Sequence, residues 1–234
     1  MTKEPIVGPI ASASVIDAEI LNFLREELSA EGPMESPIAT WYRKQYLNKS
    51  RGFAAFGQVL VDLLAQRRQR FDQVTEVGAG IGQTCVQLAL EGWPTIAVES
   101  GAEVFGWMEH LLARLRRIDA VVSERVRPLK CGYPERASEY LNERTLACFM
   151  GLLTSSAIND VINREMIESL RLAGGIILDP RVFFRRRESE QEQGELVTEI
   201  QKLGFGPPVS FWDSRGTRSF PYRFLYFERS NMPS

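Results

Sequence analysis

The chain has 234 residues and a formal net charge of −2 at neutral pH, and 44% of its residues are apolar. This length fits one large domain, or one domain with an appendage, and the apolar fraction is enough for a sizeable core. A wholly disordered chain is therefore excluded. The nearly neutral charge gives no reason to expect a nucleic acid or an anionic membrane as a partner.

Cysteine and histidine are scarce, which narrows the chemistry that the chain can perform. Its three cysteines lie far apart in sequence and form no CxxC pair, so we expect neither a disulfide framework nor a structural zinc site. The single histidine, His110, falls inside a predicted helix, and no metal site is predicted. The N-terminal residues lack the features of a signal peptide and no apolar run approaches ~18 residues, which favours a cytoplasmic protein without membrane spans.

The N-terminal segment differs from the rest of the chain in charge. Residues 1–36 contain two basic and seven acidic side chains, whereas residues 37–234 contain 26 basic and 23 acidic ones. This contrast indicates an acidic appendage on a slightly basic domain. We predict an N-terminal helical cover over residues 1–55 and a main domain over residues 56–234.

Helical signals dominate this appendage. Ser14 and Asp17 have the spacing of a capping box, and apolar residues at helical spacing follow them. Gly32, Pro33 and Pro37 then interrupt the pattern. The next stretch, WYRKQYLNKSRGFAAF, mixes aromatic and cationic residues and leads into another apolar helix.

The chain from Phe71 onward alternates between strand and helix patterns. This alternation is typical of a parallel sheet built from βαβ units. We therefore predict an α/β fold with a doubly wound, mostly parallel seven-stranded sheet and a terminal antiparallel strand pair. The predicted strands are residues 73–77, 95–98, 126–130, 146–150, 176–179, 209–212 and 222–228. The predicted helices between them are residues 83–91, 103–117, 135–142, 157–172 and 189–203.

A glycine-rich loop follows the first strand of this domain. The loop runs from Gly78 to Gly82 with the pattern G-x-G-x-G, and a helix begins directly after it. Glycines let the backbone approach a ligand closely, and the helix N-terminus offers free N–H groups. Glu99 ends the second strand, 21 residues after Gly78. An acid at about this distance accepts hydrogen bonds from ribose hydroxyls in dinucleotide-type folds, so we expect a ligand that contains an adenosine-like ribose.

The spacing of this loop argues against a nicotinamide or flavin cofactor. Their fingerprint, G-x-G-x-x-G/A, requires a small residue at position 83, where this chain has Gln83. Glu76 lies two residues before the first glycine. A carboxylate at that position suits a cationic ligand group and would repel a pyrophosphate.

These residues resemble the class I S-adenosylmethionine-dependent methyltransferases. The segment TEVGAGIGQ matches the first motif of that family, and AVES matches the second, an acid at the end of strand two. The segment GGIILDP resembles the fifth strand of the family. The resemblance covers residues 65–234.

The resemblance implies S-adenosylmethionine as the cofactor and a set of residues that bind it. The glycine loop would pack against the methionine and ribose parts, Glu76 would lie near the methionine amine, and Glu99 would bind the ribose diol. Residues after the third strand would flank the adenine, at a place where many members have an acid and this chain has Cys131 and Gly132. The cofactor-binding residues implied in this way are Glu76, Gly78, Ala79, Gly80, Gly82, Glu99, Ser100, Gly132, Tyr133, Met150 and Gly151.

The substrate side of the site is less defined by the sequence. Tyr42 and Tyr46 either cap the cofactor or acceptor from the N-terminal cover, or pack against the core. Asp179 ends a parallel strand, where ligands bind in open α/β sheets, and is a candidate for orienting the acceptor. No catalytic residue is assigned, because the sulfonium donor is already activated and a general base is optional.

The sequence favours methyl transfer to an oxygen or nitrogen atom of a small-molecule acceptor. Residues 152–155 read LLTS and lack the D/N-P-P-Y signature of base-amino methylation, so a nucleic acid acceptor is disfavoured. A protein acceptor and a non-catalytic S-adenosylmethionine- or nucleoside-binding protein stay open as alternatives. A nicotinamide or flavin oxidoreductase is the least favoured interpretation.

Overall fold

The computed structural model describes residues 13–29, 37–42, 55–150, 160–179, 190–213 and 222–230. Its strands are β1 (Gln73–Val77), β2 (Thr95–Glu99), β3 (Val126–Lys130), β4 (Thr145–Phe149), β5 (Gly175–Leu178), β6 (Val209–Asp213) and β7 (Tyr222–Glu228). Its helices are α1 (Ala13–Ser29), α2 (Pro37–Tyr42), α3 (Ala55–Ala65), α4 (Gln83–Leu90), α5 (Ala102–Ile118), α6 (Ala120–Arg125), α7 (Asp160–Ser169) and α8 (Glu190–Lys202). Within this described part, no helix is long and apolar enough to span a membrane.

The seven strands form one sheet in the order β3-β2-β1-β4-β5-β7-β6. Strands β1 to β5 are parallel to one another, and β7 is antiparallel to both β5 and β6. The order reverses between β1 and its neighbours β2 and β4. In open α/β sheets, ligands bind outside the carboxyl ends of the strands at such a switch point. The predicted doubly wound sheet with a terminal antiparallel pair is confirmed.

Helices cover both faces of the sheet. On one face, Met166 of α7 and Leu196 and Ile200 of α8 pack with Val77 and Phe149 of the strands. On the other face, α3 packs on the centre of the sheet, and α4, α5 and α6 pack on the β2 side. Strands β4 and β5 are buried along their whole length and are composed almost entirely of apolar residues, as expected for strands covered on both faces.

Helix α1 packs on the outside of α5 and shares its core. Ile16, Ile20, Phe23 and Leu24 are buried in one cluster with apolar residues of α4 and α5. The predicted capping box falls at the start of this helix, and its apolar face is the buried one. The N-terminal segment therefore contributes to the core of the domain.

Ionic contacts also hold α1 on α5, and Arg114 is their centre. Its Nε donates to Glu19 at 2.5 Å, its guanidinium also pairs with Glu26, and it lies 5.7 Å from the ring centroid of Phe23. We expect Arg114→Met to lower the free energy of unfolding by about 1 kcal/mol, because partly exposed ion pairs contribute about this much. Urea denaturation measures the change.

The exposed Arg117 of the same helix supplies the matched control. Arg117→Met should leave the unfolding free energy within about 0.5 kcal/mol of the original protein. Equal effects of the two substitutions would contradict the anchoring role of Arg114.

One local prediction is wrong. Residues 135–142 form only a short 3-10 turn, Ala137–Glu139, because Arg136 is left-handed with φ 54° and the carbonyl of Tyr140 accepts hydrogen bonds from Thr75 and Gln73 instead of continuing a helix. The first helix ends at Ser29 and a separate helix, α2, begins at Pro37. Proline is favoured in the first turn, where its missing N–H has no helical partner to lose.

Candidate active site

The glycine loop lies at the carboxyl end of β1 and joins it to α4. Gly78, Gly80 and Gly82 have φ values of 70°, 61° and 82°, in the left-handed region that favours glycine. The amides of Gly78 and Ala79 both donate to the carbonyl of Val98 in β2, at 2.8 and 3.0 Å. The loop is therefore tied to the neighbouring strand β2.

Glu99 connects this loop to the start of α5. One carboxylate oxygen accepts a hydrogen bond from the Gly80 amide at 3.0 Å, and the other accepts one from the Gly101 amide at 2.7 Å. The side chain is half-buried at the end of β2. Each carboxylate oxygen can accept a second hydrogen bond. The arrangement thus presents an oriented, accessible carboxylate beside the glycine loop.

Glu76 is a buried carboxyl group behind the loop. Its side chain is 3% exposed, and Cys85 of α4 donates to its Oε2 at 3.4 Å. Burial raises the pKa of Glu76 from 4.5 to about 8, although hydrogen bonds from Cys85 and Thr84 oppose the shift. The proximity of Glu99 raises that pKa further. Glu76 is therefore mostly neutral at pH 7, and a nearby cation would favour its ionised form.

The raised pKa of Glu76 makes stability depend on pH. The folded protein holds a proton that the unfolded chain loses above pH 4.5, so this contribution to stability is full below pH 4.5 and is lost as the pH rises to about 8. We expect Glu76→Gln to remove that loss. Denaturant midpoints of the two proteins, measured from pH 5 to pH 9, should diverge with increasing pH in favour of the variant. Parallel profiles would contradict the buried neutral carboxyl.

Tyr42 covers the glycine loop from the N-terminal side. Its side chain is 5% exposed, and its ring meets Trp107 of α5 edge-on with centroids 5.7 Å apart. A Cβ atom built on Gly80 would overlap the Tyr42 hydroxyl oxygen. The sequence left core packing and capping as alternatives for this tyrosine. In the structure it packs in the core and also lies on the loop.

The segment after β3 forms another wall at the same sheet edge. The hydroxyl of Tyr133 donates to the carbonyl of Met166 at 2.9 Å, and its ring packs against Phe149 at 4.9 Å between centroids. Burial raises the pKa of the Tyr133 hydroxyl, so it stays protonated as a donor. A Cβ on Gly132 would lie 3.7–3.8 Å from the carboxylate of Glu135. An acid is thus present here, although not at the sequence position where it was expected.

The remaining predicted residues are distributed along this edge. Ser100 is exposed after β2, Met150 is buried with residues of the α3 face, and Asp179 is buried at the end of β5. The Asp179 amide donates to the carbonyl of Phe149 at 2.9 Å. Gly151 and Tyr46 lie outside the residues that the structure describes.

Four residues near the loop were not predicted from the sequence. Gly101 binds Glu99, Trp107 contacts Tyr42, Met108 fills the space beside Gly82, and Glu135 lies by Gly132. Only Gly101 carried a signal, since a glycine before a helix is a common N-cap. Trp107 and Met108 reach the site through tertiary packing, and Glu135 reaches Gly132 through the turn after β3.

Solved methyltransferase structures share this fold. A glycopeptide N-methyltransferase, MtfA, complexed with (S)-adenosyl-L-homocysteine, has a TM-score of 0.55 and 14% identity, over 86% of this chain and 100% of that chain. A Klebsiella pneumoniae protein named as an O-methyltransferase has a TM-score of 0.55 and 14% identity, over 95% and 93%. The methyltransferase domain of bacterial CtHen1-C has a TM-score of 0.54 and 12% identity, over 76% and 100%. No protein-family model and no curated protein sequence matches this chain.

The sheet order, the helices on both faces and these likenesses define one class of fold. The chain has the Rossmann-like fold of the class I S-adenosylmethionine-dependent methyltransferases. At 12–15% identity the likeness extends to the fold, and the function has to be argued from the site.

Proposed function

We propose that the protein transfers a methyl group from S-adenosylmethionine to an oxygen or nitrogen atom of a small-molecule acceptor. The observation that carries this proposal is the bridged carboxylate of Glu99, which accepts amides from both the glycine loop and the start of α5. Its two oxygens lie beside the Gly80 and Gly101 amides, and each can accept a further hydrogen bond from one hydroxyl of a ribose diol. The fold likeness to N- and O-methyltransferases supports the same conclusion.

The residues present fit the proposed cofactor. The left-handed Gly78 and Gly80 provide backbone without side chains, where a nucleoside can approach closely. Glu76 lies behind that loop and would ionise beside the ammonium group of the methionine part, since an opposite charge favours the carboxylate. Glu135, beside Gly132, would accept a hydrogen bond from the adenine amino group.

Catalysis in this proposal depends mainly on positioning. The bound cofactor supplies a methyl group that is already activated by its sulfonium. The protein then has to hold the acceptor atom in line with that methyl group and exclude water, which can lower the barrier by several kcal/mol. Asp179, at the end of β5, is the candidate for orienting the acceptor, because it lies on the same sheet edge as the glycine loop.

Methyl-labelled S-adenosylmethionine tests the activity and the acceptor class together. The purified protein is incubated with the labelled donor and a cell extract, which is then separated into protein and small-molecule fractions. We expect label in the small-molecule fraction, and no such transfer by a Glu99→Ala variant. Label in protein would favour a protein acceptor instead. Binding of the donor without transfer over a broad acceptor panel would favour the non-catalytic alternative.

A further inference from the structure

Gly80 of the glycine loop faces the hydroxyl end of the Tyr42 side chain. Gly80 has a φ of 61° and no side chain, so the Tyr42 side chain lies directly against its backbone. Gly82, two residues later, is covered instead by Met108, which is fully buried in the core of α5. The two glycines are therefore covered by side chains from different elements. Met108, over Gly82, belongs to the long helix α5, whereas Tyr42, over Gly80, belongs to the six-residue helix α2 of the N-terminal segment.

Helix α2 depends on its contacts for stability. An isolated helix of six residues is not stable in water, since helices shorter than ~12–15 residues are marginal. Of the α2 side chains that the structure describes, Tyr42 and Ala39 pack on the α1–α5 cluster and Thr40 is exposed. A helix this short opens at a small free-energy cost compared with the long helices of the core.

We propose that Tyr42 is the gate of the cofactor site, and that cofactor entry displaces α2 from the glycine loop. The inference rests on the proposed function, since it takes the bare surface of Gly80 to be the cofactor's binding surface. A ligand that approaches this backbone and the Tyr42 hydroxyl cannot occupy the same volume. Binding then requires the open conformer, and the apparent affinity is reduced by the fraction of molecules that are closed.

The gate lies directly beside the proposed ribose contact. Gly80 contacts both residues: its amide donates a hydrogen bond to Glu99, and its Cα side is covered by Tyr42. Trp107 contacts the same tyrosine ring and belongs to α5, which begins after Gly101. Displacement of Tyr42 would therefore expose Gly80 beside Glu99. It would also change the environment, and hence the fluorescence, of Trp107.

Hydrogen exchange on the full-length protein tests the gate without any substitution. We expect the amides of α2 to exchange faster when S-adenosylhomocysteine saturates the protein, while those of α4 exchange more slowly. Unchanged or slower exchange in α2 with bound ligand would overturn the gate and leave the cofactor assignment intact. A protein that fails to bind the ligand would overturn both.

A pair of tyrosine substitutions gives a kinetic test. Tyr42→Phe removes the hydroxyl over Gly80 and keeps the ring on Trp107, so we expect association of S-adenosylhomocysteine to become about fivefold faster. The matched control is Tyr226→Phe in β7, where the buried tyrosine hydroxyl donates to Glu228 at 2.7 Å. Stopped-flow tryptophan fluorescence follows both variants. Slower association of Tyr42→Phe would make Tyr42 a ligand contact, and equality with Tyr226→Phe would remove any role in entry.

Discussion

Glu99→Gln is expected to weaken the binding of S-adenosylhomocysteine about 100-fold, because it removes a charged acceptor from two ribose hydroxyls. The substitution also disturbs the site itself. Both oxygens of Glu99 accept backbone amides, from Gly80 and Gly101, and a glutamine has only one oxygen to offer. One amide would then face an NH2 group, and we expect a loss of about 1–3 kcal/mol in the free energy of unfolding.

Isothermal calorimetry and urea denaturation measure these two effects separately. Glu103→Gln is the matched control, because Glu103 is an exposed acid in the first turn of α5. It should leave the affinity unchanged and lower the free energy of unfolding by no more than about 1 kcal/mol, the usual contribution of an acid in the first turn of a helix. An affinity for Glu99→Gln within threefold of the control would remove Glu99 from the ligand site.

Gly80→Ala has the second largest expected effect, a loss of about 30-fold in affinity for the same ligand. The added methyl group would occupy the bare loop surface and would overlap the hydroxyl of Tyr42. The φ of 61° also costs an alanine about 1–2 kcal/mol. Calorimetry gives the affinity, and thermal unfolding should give a lower midpoint.

Gly194→Ala provides the control for this substitution. Gly194 lies in α8, and a Cβ there would meet nothing within 4 Å. We expect this variant to bind the ligand normally and to be more stable by about 0.5–1 kcal/mol, since alanine is the better helix former. If Gly80→Ala bound as tightly as Gly194→Ala, the glycine loop would be only a connection between β1 and α4.

The parallel sheet could be predicted from the sequence because its signals are local. The strands are short apolar runs, and the helices between them have apolar residues at helical spacing, so each element is recognisable by itself. Strand β1 and strand β3 begin and end at the predicted residues. The glycine loop and Glu99 could likewise be recognised, because the chemistry of the loop requires a particular spacing along the chain.

The failures arise where contacts distant in sequence decide the conformation. Residues 135–142 have apolar spacing compatible with a helix, yet the carbonyl of Tyr140 is bound by side chains of β1. The position of Tyr42 over Gly80 joins residues 38 positions apart, and no local pattern encodes such a contact. Glu135 lies beside Gly132 because of the turn after β3, and the residue types in this segment do not predict the conformation of that turn.

The central claim is that the glycine loop and Glu99 bind an adenosine-containing methyl donor. Isothermal calorimetry of the purified full-length protein with S-adenosylhomocysteine, and with NADH and FAD as controls, tests it most directly. The account predicts binding of S-adenosylhomocysteine in the micromolar range and no measurable binding of either dinucleotide. Absence of binding to S-adenosylhomocysteine, or a preference for NADH or FAD, would contradict the assignment of the cofactor and the methyl transfer that depends on it.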